Sequence, residues 1–339
     1  MARSLHLPRI AWKLTAACFV IVAAVTAVRA DPAEWHREGW TRTNFGKTTI
    51  QWNEIQSGGP PKDGIPSIDS PMFKSVAEPS ELTESEPVIG LALAGDARAY
   101  PLRILIWHEI VNDTVGGLPV TVTYCPLCNS AVVFDRRLNG RMLDFGTTGK
   151  LRNSDLVMYD RQTESWWQQF TGEAIVGALA GMNLKMIPAR LESFAEFKAR
   201  HPGGKLLVPN DPKLRDYWRN PYVGYDGAAA PFLYRGEYPK DIEPLARVVV
   251  VRDAAGTPCA VALELLRKRG HIGLGDVDLV WRTGQTSALD HWEVAKGRDV
   301  GTVTATRLAA DGRREDAVYD VTFAFVVFAF HPGTRIMQE

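Results

Sequence analysis

VTVTYCPLCNSAVVFD, residues 120–135, is an alternating β-branched run followed by Cys-Pro-Leu-Cys and a second apolar run. This pattern predicts a strand, a tight turn and a second strand, with the thiols of Cys125 and Cys128 at the turn. Two cysteines at this spacing serve as a redox pair, as half of a metal site or as a structural disulfide. The pattern alone leaves all three uses open.

The chain around this hairpin has an ordinary globular composition. Its 339 residues are 45% hydrophobic and 23% charged, a composition and length that suit two domains or one large domain. The formal net charge is zero. Because no basic excess is present, no nucleic-acid partner is expected.

Residues 1–30 have the pattern of a secretory signal peptide. Basic residues at positions 3, 9 and 13 precede an uncharged, mostly apolar run from Leu14 to Val28. The run is shorter than the roughly 20 residues that span a membrane. We therefore predict cleavage before Asp31, export to the periplasm or the extracellular space, and no membrane span in the mature chain.

Three cysteines follow the predicted cleavage point, namely Cys125, Cys128 and Cys259. Export places them in an oxidising compartment, where Cys125 and Cys128 can close as a disulfide. The loop between these two is too short for a disulfide to stabilise the fold much through chain entropy. If the pair is oxidised, we expect it to serve redox chemistry or local geometry.

The flanking sequence predicts a β-rich α+β fold with a few short helices. Residues 87–94 form an apolar run that ends at Gly95-Asp96, which predicts a strand and a hairpin turn. Apolar residues at helical spacing predict a helix over Pro101–Asn112. A second amphipathic helix is predicted over Ser193–Arg200, where a His-Pro-Gly sequence follows.

The second half of the chain weakly repeats the first, which predicts two unequal tandem copies of one strand-rich unit. Gly95–Leu105 resembles Gly256–Leu266, and Val120–Ala131 resembles Val277–Ala288, where the thiols are absent. The thiols are therefore not required by the repeated fold. The predicted regions are a signal peptide (1–30), an N-terminal extension with an ordered Pro/Gly loop (31–86), a first repeat with the cysteines (87–206), an irregular connection (207–246) and a second, degenerate repeat (247–339).

The residues next to the cysteines narrow the chemistry. A strand-like run follows Cys128, unlike the helix N-terminus that lowers a thiol pKa in thioredoxin-type pairs. Asn129 stands where covalent haem needs histidine, so no c-type haem is expected. A four-thiolate zinc site needs a second Cys-x-x-Cys, which the sequence lacks. Two mixed sites remain: two thiolates with histidine and a carboxylate, or thiolates with histidine for copper. The metal would be copper or zinc.

His108 is the best histidine candidate for such a site. On a helix over Pro101–Asn112 it lies one turn from Leu105 and Val111, so its ring can face inward. Two interpretations stay open. His108 is either a metal ligand or general acid/base beside the thiols, or a core histidine with a hydrogen-bonded partner.

Six further residues are second-tier candidates for a pocket around the thiols: Glu109, Tyr124, Asp155, Asp160, Arg161 and Trp166. The last four belong to one polar and aromatic segment, which also fits a strand–turn–strand with a polar turn. Tyr124 can support a radical or a hydrogen bond beside Cys125, and it also fits a packing role.

Four motifs resemble a known family. They are GGPPKDGIPSID (58–69), WHEIVND (107–113), YCPLC (124–128) and NSDLVMYDR (153–161). Together they resemble a family of exported bacterial and archaeal proteins that is classed only as a domain of unknown function. The resemblance covers most of the mature chain. It implies export and one large shared domain, and it implies no established activity.

Three functional hypotheses follow, and they leave open whether the protein is an enzyme. The leading one is an exported protein with a thiol/His metal-binding or redox site at Cys125 and Cys128. The first alternative is a thiol–disulfide oxidoreductase whose partner is another exported protein. The second alternative is a non-catalytic binding module in which Cys125 and Cys128 form a structural disulfide.

Overall fold

The computed structural model describes residues 32–253, 256–309 and 311–339. The predicted signal peptide, residues 1–30, lies outside these ranges. Within them, no helix has both the length and the apolar character needed to cross a membrane. This part of the chain is a strand-rich α+β structure with short helices, as predicted.

The described chain as far as Val208 contains sixteen strands, three α-helices and a 3₁₀ helix at Trp52–Glu54. The α-helices are α1 (Pro32–Arg37), α2 (Leu102–His108) and α3 (Phe194–Arg200). The strands are β1 (Ile55–Ser57), β2 (Met72–Ser75), β3 (Pro87–Leu93), β4 (Asp96–Pro101), β5 (Ile110–Val115), β6 (Leu118–Cys125), β7 (Ser130–Asp135), β8 (Arg137–Leu138), β9 (Arg141–Met142), β10 (Phe145–Arg152), β11 (Asp155–Asp160), β12 (Trp166–Gln168), β13 (Ala174–Val176), β14 (Met186–Ile187), β15 (Arg190–Ser193) and β16 (Lys205–Val208).

A connection without strands follows, with one short 3₁₀ helix at Tyr225–Gly227. The described chain after this connection contains eight strands, two α-helices and a 3₁₀ helix at Val294–Lys296. The α-helices are α4 (Leu263–Arg269) and α5 (Ala324–Phe330). The strands are β17 (Arg247–Arg252), β18 (Pro258–Ala262), β19 (His271–Leu274), β20 (Val277–Arg282), β21 (Thr302–Leu308), β22 (Arg314–Asp316), β23 (Tyr319–Phe323) and β24 (Ile336–Met337).

The two parts contain sheets with corresponding strand orders. The first part has a sheet in the order β15-β3-β4-β16-β2, and the second has β23-β17-β18-β24. In both sheets the late strand pairs in parallel, β16 with β4 and β24 with β18. A second sheet follows the order β14-β7-β6-β5 in the first part and β19-β20-β21-β22 in the other. The sheet β1-β10-β11-β12-β13 has no counterpart among the described residues of the second part.

Several predicted elements are confirmed. The cysteine hairpin is formed by β6 and β7, in which Cys125 pairs with Ser130. The strands β3 and β4 form the predicted hairpin around Gly95. The helix predicted over Ser193–Arg200 is α3, and the Ser193 side chain caps it by accepting a hydrogen bond from the Glu196 N–H at 3.3 Å.

The helix predicted over Pro101–Asn112 is wrong in its second half. The helix α2 ends at His108, and Glu109 has a left-handed φ of 58° that no helix continues through. The next residues, Ile110 and Val111, pair with β6 as strand β5. Apolar residues happen to continue at helical spacing across the boundary, although β-branched side chains favour the strand.

The Pro/Gly-rich loop before β2 lies against β5 and β10 through backbone hydrogen bonds. The N–H of Asp63 donates to the Thr147 carbonyl at 2.9 Å, and the N–H of Ile68 donates to the Ile110 carbonyl at 2.9 Å. Gly149 has a φ of 69°, and a Cβ atom there would lie 1.9 Å from the Pro60 carbonyl oxygen. Glycine is therefore required where this loop crosses β10.

Candidate metal centre

Two sulfur atoms and one carboxylate converge where two hairpin turns meet. Cys125 ends β6, Cys128 lies in the turn before β7, and Asp155 begins β11. The Sγ atoms of both cysteines and a carboxylate oxygen of Asp155 lie within 4.8 Å of one another. All three residues are buried, and both cysteines are free thiols. These are atoms that bind soft and borderline metal ions.

The turn between the cysteines is held in a tight backbone conformation. The N–H of Cys128 donates to the Cys125 carbonyl, and Asn129 has a left-handed φ of 50° that lets the chain enter β7. The Asn129 side chain donates to the Val321 carbonyl at 2.7 Å and accepts a longer bond from the Tyr124 hydroxyl at 3.3 Å. Asn129 therefore joins the cysteine turn to strand β23 of the second part. The sequence interpretation gave it no such role.

The second turn brings Asp155 to the thiols. Asn153 and Ser154 link β10 to β11, and both have positive φ, 51° and 67°. Two successive left-handed residues are typical of the tight turns that connect antiparallel strands. The Ser154 carbonyl oxygen accepts from the thiols of Cys125 and Cys128 at 4.0 and 3.7 Å. The turn thus presents a carbonyl and a carboxylate to the two sulfurs.

The two oxygens of the Asp155 carboxylate have different surroundings. One oxygen, Oδ2, accepts from the Gln168 side chain at 2.6 Å and from the Phe170 N–H at 3.0 Å. The other oxygen, Oδ1, is buried without a hydrogen-bond partner among the described residues. Burial raises the pKa of this carboxyl above its usual range. An unpaired buried acceptor is costly, so Oδ1 favours a donor such as the neighbouring thiols, or a cation.

Burial also determines the protonation state of the two thiols. It raises the pKa of Cys125 and of Cys128, and the negative charge of Asp155 adds to the effect at both. Both thiols are therefore protonated at neutral pH in the absence of a cation. A bound metal ion reverses this, because it binds the thiolate form and displaces the proton.

Glu109 is a second buried acid close to this cluster. It follows α2, only 7% of its surface is exposed, and no described residue pairs with its carboxyl. Burial, together with the negative charge of Asp155, raises the pKa of Glu109 to about 8. Glu109 is not one of the three residues whose ligand atoms lie within 4.8 Å of one another.

Glu109 also lines a cavity of about 460 Å³. The walls of this cavity are mostly apolar and aromatic, and they include Glu109, Leu127, Leu156, Tyr222, Tyr225 and Phe232. Leu127 and Leu156 are chain neighbours of Cys128 and Asp155, so the cavity ends next to the cluster. The sequence interpretation missed Tyr222 and Tyr225, whose one available signal was the Tyr-rich run Asn220–Tyr225 in the irregular connection.

His108 is not among the residues whose ligand atoms lie within 4.8 Å of one another. Its Nδ1 lies 2.7 Å from the Pro66 carbonyl oxygen, and its Nε2 lies 2.7 Å from the Tyr217 hydroxyl. The ring also stacks on Tyr217, with ring centroids 5.7 Å apart. Burial lowers the pKa of His108. These contacts match the alternative interpretation, a core histidine with hydrogen-bonded partners.

The remaining candidates have separate surroundings. Asp160 caps the turn after β11, where its carboxylate accepts from the Thr163 N–H at 2.6 Å and from the Trp167 indole at 3.0 Å. Arg161 forms an ion pair with Asp69 at 2.9 Å. Trp166 packs in a separate cluster of aromatic residues at the N-terminal end of the described chain.

Tyr124 is fully buried beside the turn, and burial raises the pKa of its hydroxyl. The structure therefore brings Asp155 to the thiols, leaves Glu109 and Tyr124 beside them, and assigns Asp160, Arg161 and Trp166 to contacts elsewhere.

The fold and the site define a strand-rich protein with a buried cluster of two thiols and one carboxyl beside an aromatic cavity. Residues 62–334 match the model of the family described as Protein of unknown function (DUF3179). The chain therefore belongs to this family, which confirms the resemblance found in the sequence. No curated protein and no solved structure matches the chain.

Proposed function

We propose that Cys125, Cys128 and Asp155 bind one metal ion, and that this centre is the functional site of the protein. The observation that carries the proposal is the convergence of two buried thiols on the buried Asp155 carboxyl, whose Oδ1 has no described donor near it other than those thiols. Two thiolates and one carboxylate carry three negative charges in a site that water does not reach. A divalent cation offsets most of that charge, and no described residue supplies a cation to Asp155.

Zinc suits this set of ligands best. Thiolate sulfur favours zinc or copper(I), whereas a carboxylate favours harder ions, and zinc commonly accepts both. Three protein ligands leave the fourth tetrahedral position open, which is the arrangement of zinc sites that bind water or substrate. With His108 engaged by Pro66 and Tyr217, the proposed centre differs from the thiol/His site expected from the sequence.

A thiol–disulfide oxidoreductase is less compatible with the same surroundings. Cys125 and Cys128 are 1% and 0% exposed, so the sulfur of a partner protein has no access to them. Their pKa values are raised by burial, whereas exchange needs the thiolate. A structural disulfide needs neither access nor a thiolate, so it is the main competing outcome of the test.

The test is elemental analysis and thiol titration of the same sample, purified without chelator from an exporting host. We expect about one equivalent of zinc, and its loss in Cys128→Ser. Cys259→Ser is the matched control, because Cys259 lies in β18 and takes no part in the cluster. An absence of metal together with a single reactive thiol, that of Cys259, would refute the metal centre and establish a Cys125–Cys128 disulfide.

We also infer that the protein is exported. The support is the basic and then apolar pattern of residues 1–30, and the described residues contain no helix able to cross a membrane. Intact-mass measurement of protein from the periplasmic fraction tests this. The expected mature chain begins at Asp31, and a full-length chain that stays in the cytoplasm would contradict export.

We further infer that the two parts arose from one duplicated unit. The support is the corresponding order of their sheets, including the parallel pairing of β16 with β4 and of β24 with β18. An experimental structure tests the inference through superposition of the sheets. It fails if β24 does not pair in parallel with β18, because the shared topology would then be lost.

A further inference from the structure

We propose that the cavity beside Glu109 binds a small organic ammonium compound, with its apolar or aromatic body against the tyrosines and its ammonium group at the Glu109 carboxyl. This site contains none of the three proposed metal ligands. The proposal therefore goes beyond the metal centre and is tested separately.

The size and the walls of the cavity fit a small organic molecule. Its volume of about 460 Å³ lies in the range of ligand sites in proteins. Leu127, Leu156 and Phe232 supply apolar surface, while Tyr222 and Tyr225 supply aromatic rings. Such walls remove apolar surface from water and therefore favour a ligand with a hydrocarbon body.

The charges of the cavity favour a cation. Its ionisable wall residues besides the tyrosines are Glu109 and Lys150, and the Lys150 ammonium is engaged by Glu38 at 2.5 Å. The Glu109 carboxyl is nine-tenths buried, and none of the described residues pairs with it. An unpaired buried carboxylate is unfavourable, so a ligand that brings an ammonium group supplies the missing partner.

The tyrosines add to this preference. Tyr222 lines the same cavity as Glu109, and burial, together with the charge of that carboxyl, raises the pKa of its hydroxyl. The Tyr225 hydroxyl donates to the Leu127 carbonyl at 3.0 Å, which fixes the ring at the end of the cavity near the cysteine turn. Aromatic rings attract organic cations through their electron-rich faces, whereas they give anions no such stabilisation.

Anionic and neutral ligands fit the cavity less well than cationic ones. An organic anion would find no free positive charge among the described wall residues, because Lys150 is engaged by Glu38, and it would be repelled whenever Glu109 is ionised. A neutral alcohol can hydrogen-bond to the Glu109 carboxyl, but it forms no charge-assisted bond there. A divalent ion at the metal centre does not reverse the preference, since two thiolates and one carboxylate still outweigh it by one negative charge.

The experiment compares three ligands of nearly the same shape by isothermal titration calorimetry on the full-length mature protein at pH 8. They are 2-phenylethylamine, 2-phenylethanol and phenylacetate. We expect the amine to bind at least about tenfold more tightly than the alcohol, because a charge-assisted hydrogen bond replaces a neutral one. Phenylacetate should not bind. Equal affinities for the amine and the alcohol, or no binding of the amine at millimolar concentration, overturn the proposal.

Two variants locate the binding. Glu109→Gln keeps the shape of the side chain and should remove the preference for the amine over the alcohol. Ala228→Trp places a large ring at an exposed position of the cavity wall and should block all ligands. An unchanged preference in Glu109→Gln would overturn the site, as would full binding in Ala228→Trp.

A third variant separates this proposal from the metal centre. In Cys125→Ser/Cys128→Ser the metal should be lost while the amine still binds, since neither cysteine lines the cavity. A wild-type protein that binds the amine but carries no metal would leave this proposal standing and refute only the metal centre. Metal binding without amine binding would do the opposite.

Discussion

The hairpin β6–β7 and its counterpart β20–β21 connect their strands in very different ways. In the first part the connection is residues 126–129, four buried or half-buried residues in a tight turn between the thiols. In the second part it is residues 283–301, which begin exposed and are fixed by Asp299. The strand pair β20–β21 therefore forms with a long loop, so the tight thiol turn is not a requirement of such a hairpin.

The second part nevertheless contributes directly to the thiol turn. Strand β23 donates two hydrogen bonds to the Cys128 carbonyl, from the Thr322 hydroxyl at 2.7 Å and from the Phe323 N–H at 3.2 Å. The Asp320 carboxylate accepts from the Ser130 hydroxyl at 2.5 Å and from the Ala131 N–H at 2.9 Å. The first part of the chain thus carries the thiols and the carboxyl, and the second part holds the cysteine turn in place.

The largest effect should be the pH dependence of metal affinity. It depends on the first part of the chain alone, because all three proposed ligands lie there. Burial raises the pKa of both thiols, so both are protonated near pH 7 and each must release a proton to bind metal. Affinity should therefore rise with pH by up to about hundredfold per unit between pH 6 and 8. Competition against a chelator of known pH dependence measures this, and Cys125→Ser should reduce the slope to about tenfold per unit. A flat profile would contradict thiolate ligation.

The next effect concerns the carboxylate that completes the cluster. Asp155→Asn keeps the shape of the side chain and removes its charge, so metal affinity should fall about hundredfold or more, beyond the range typical of residues that only support a ligand. Asp160→Asn is the matched control, since Asp160 is equally buried at the other end of β11 and caps a turn. The same chelator competition measures both variants. Similar losses of affinity would show that Asp155 acts through stability and not as a ligand.

The sequence predicted the parts of this site that depend on local pattern. Alternating β-branched residues on both sides of Cys125 and Cys128 predicted the hairpin, and the polar segment after β10 contained Asp155. The sequence did not predict that Asp155 lies beside the thiols, because the two turns are separated by more than twenty residues and meet through tertiary packing. It also extended α2 past His108, because apolar spacing continues where only the backbone of Glu109 changes.

The cavity was harder to predict for a different reason. Tyr222 and Tyr225 lie in a connection that has no period, so no face of a helix or strand marks them as neighbours of the thiols. Their hydroxyls approach the site only because the connection folds back onto the cysteine turn, as the bond from Tyr225 to Leu127 shows. Contacts of this kind depend on the whole fold and leave no local pattern in the sequence.

A third, smaller effect is the pH dependence of stability that arises from Asp320, a residue of β23 that contacts the strand after the cysteine turn. Burial raises the pKa of Asp320 from its ordinary value of 3.8 to about 7. The folded state then binds this proton more tightly than the unfolded state, so the stabilisation is complete below pH 3.8 and is lost as the pH rises through 7. Between pH 5 and 7 the loss should be about 2 kcal/mol.

Urea denaturation at several pH values measures this loss, and it compares the wild-type protein with Asp320→Asn. The variant keeps an acceptor for the Ala131 N–H but cannot titrate, so its free energy of unfolding should fall less between pH 5 and 7. If the two proteins show the same pH dependence, Asp320 does not carry a raised pKa.

The smallest effect separates a hydroxyl that holds the turn from one that does not. Thr322 and Thr121 are both fully buried, but the Thr322 hydroxyl donates to the Cys128 carbonyl, whereas the Thr121 hydroxyl has no partner among the described residues. Thr322→Val should therefore lower the free energy of unfolding by about 1 kcal/mol, because it removes a made hydrogen bond. Thr121→Val should be neutral or stabilising, because it removes a buried hydroxyl that was unsatisfied. Urea denaturation of both variants measures the difference, and equal losses would mean that β23 packs against the cysteine turn without holding it.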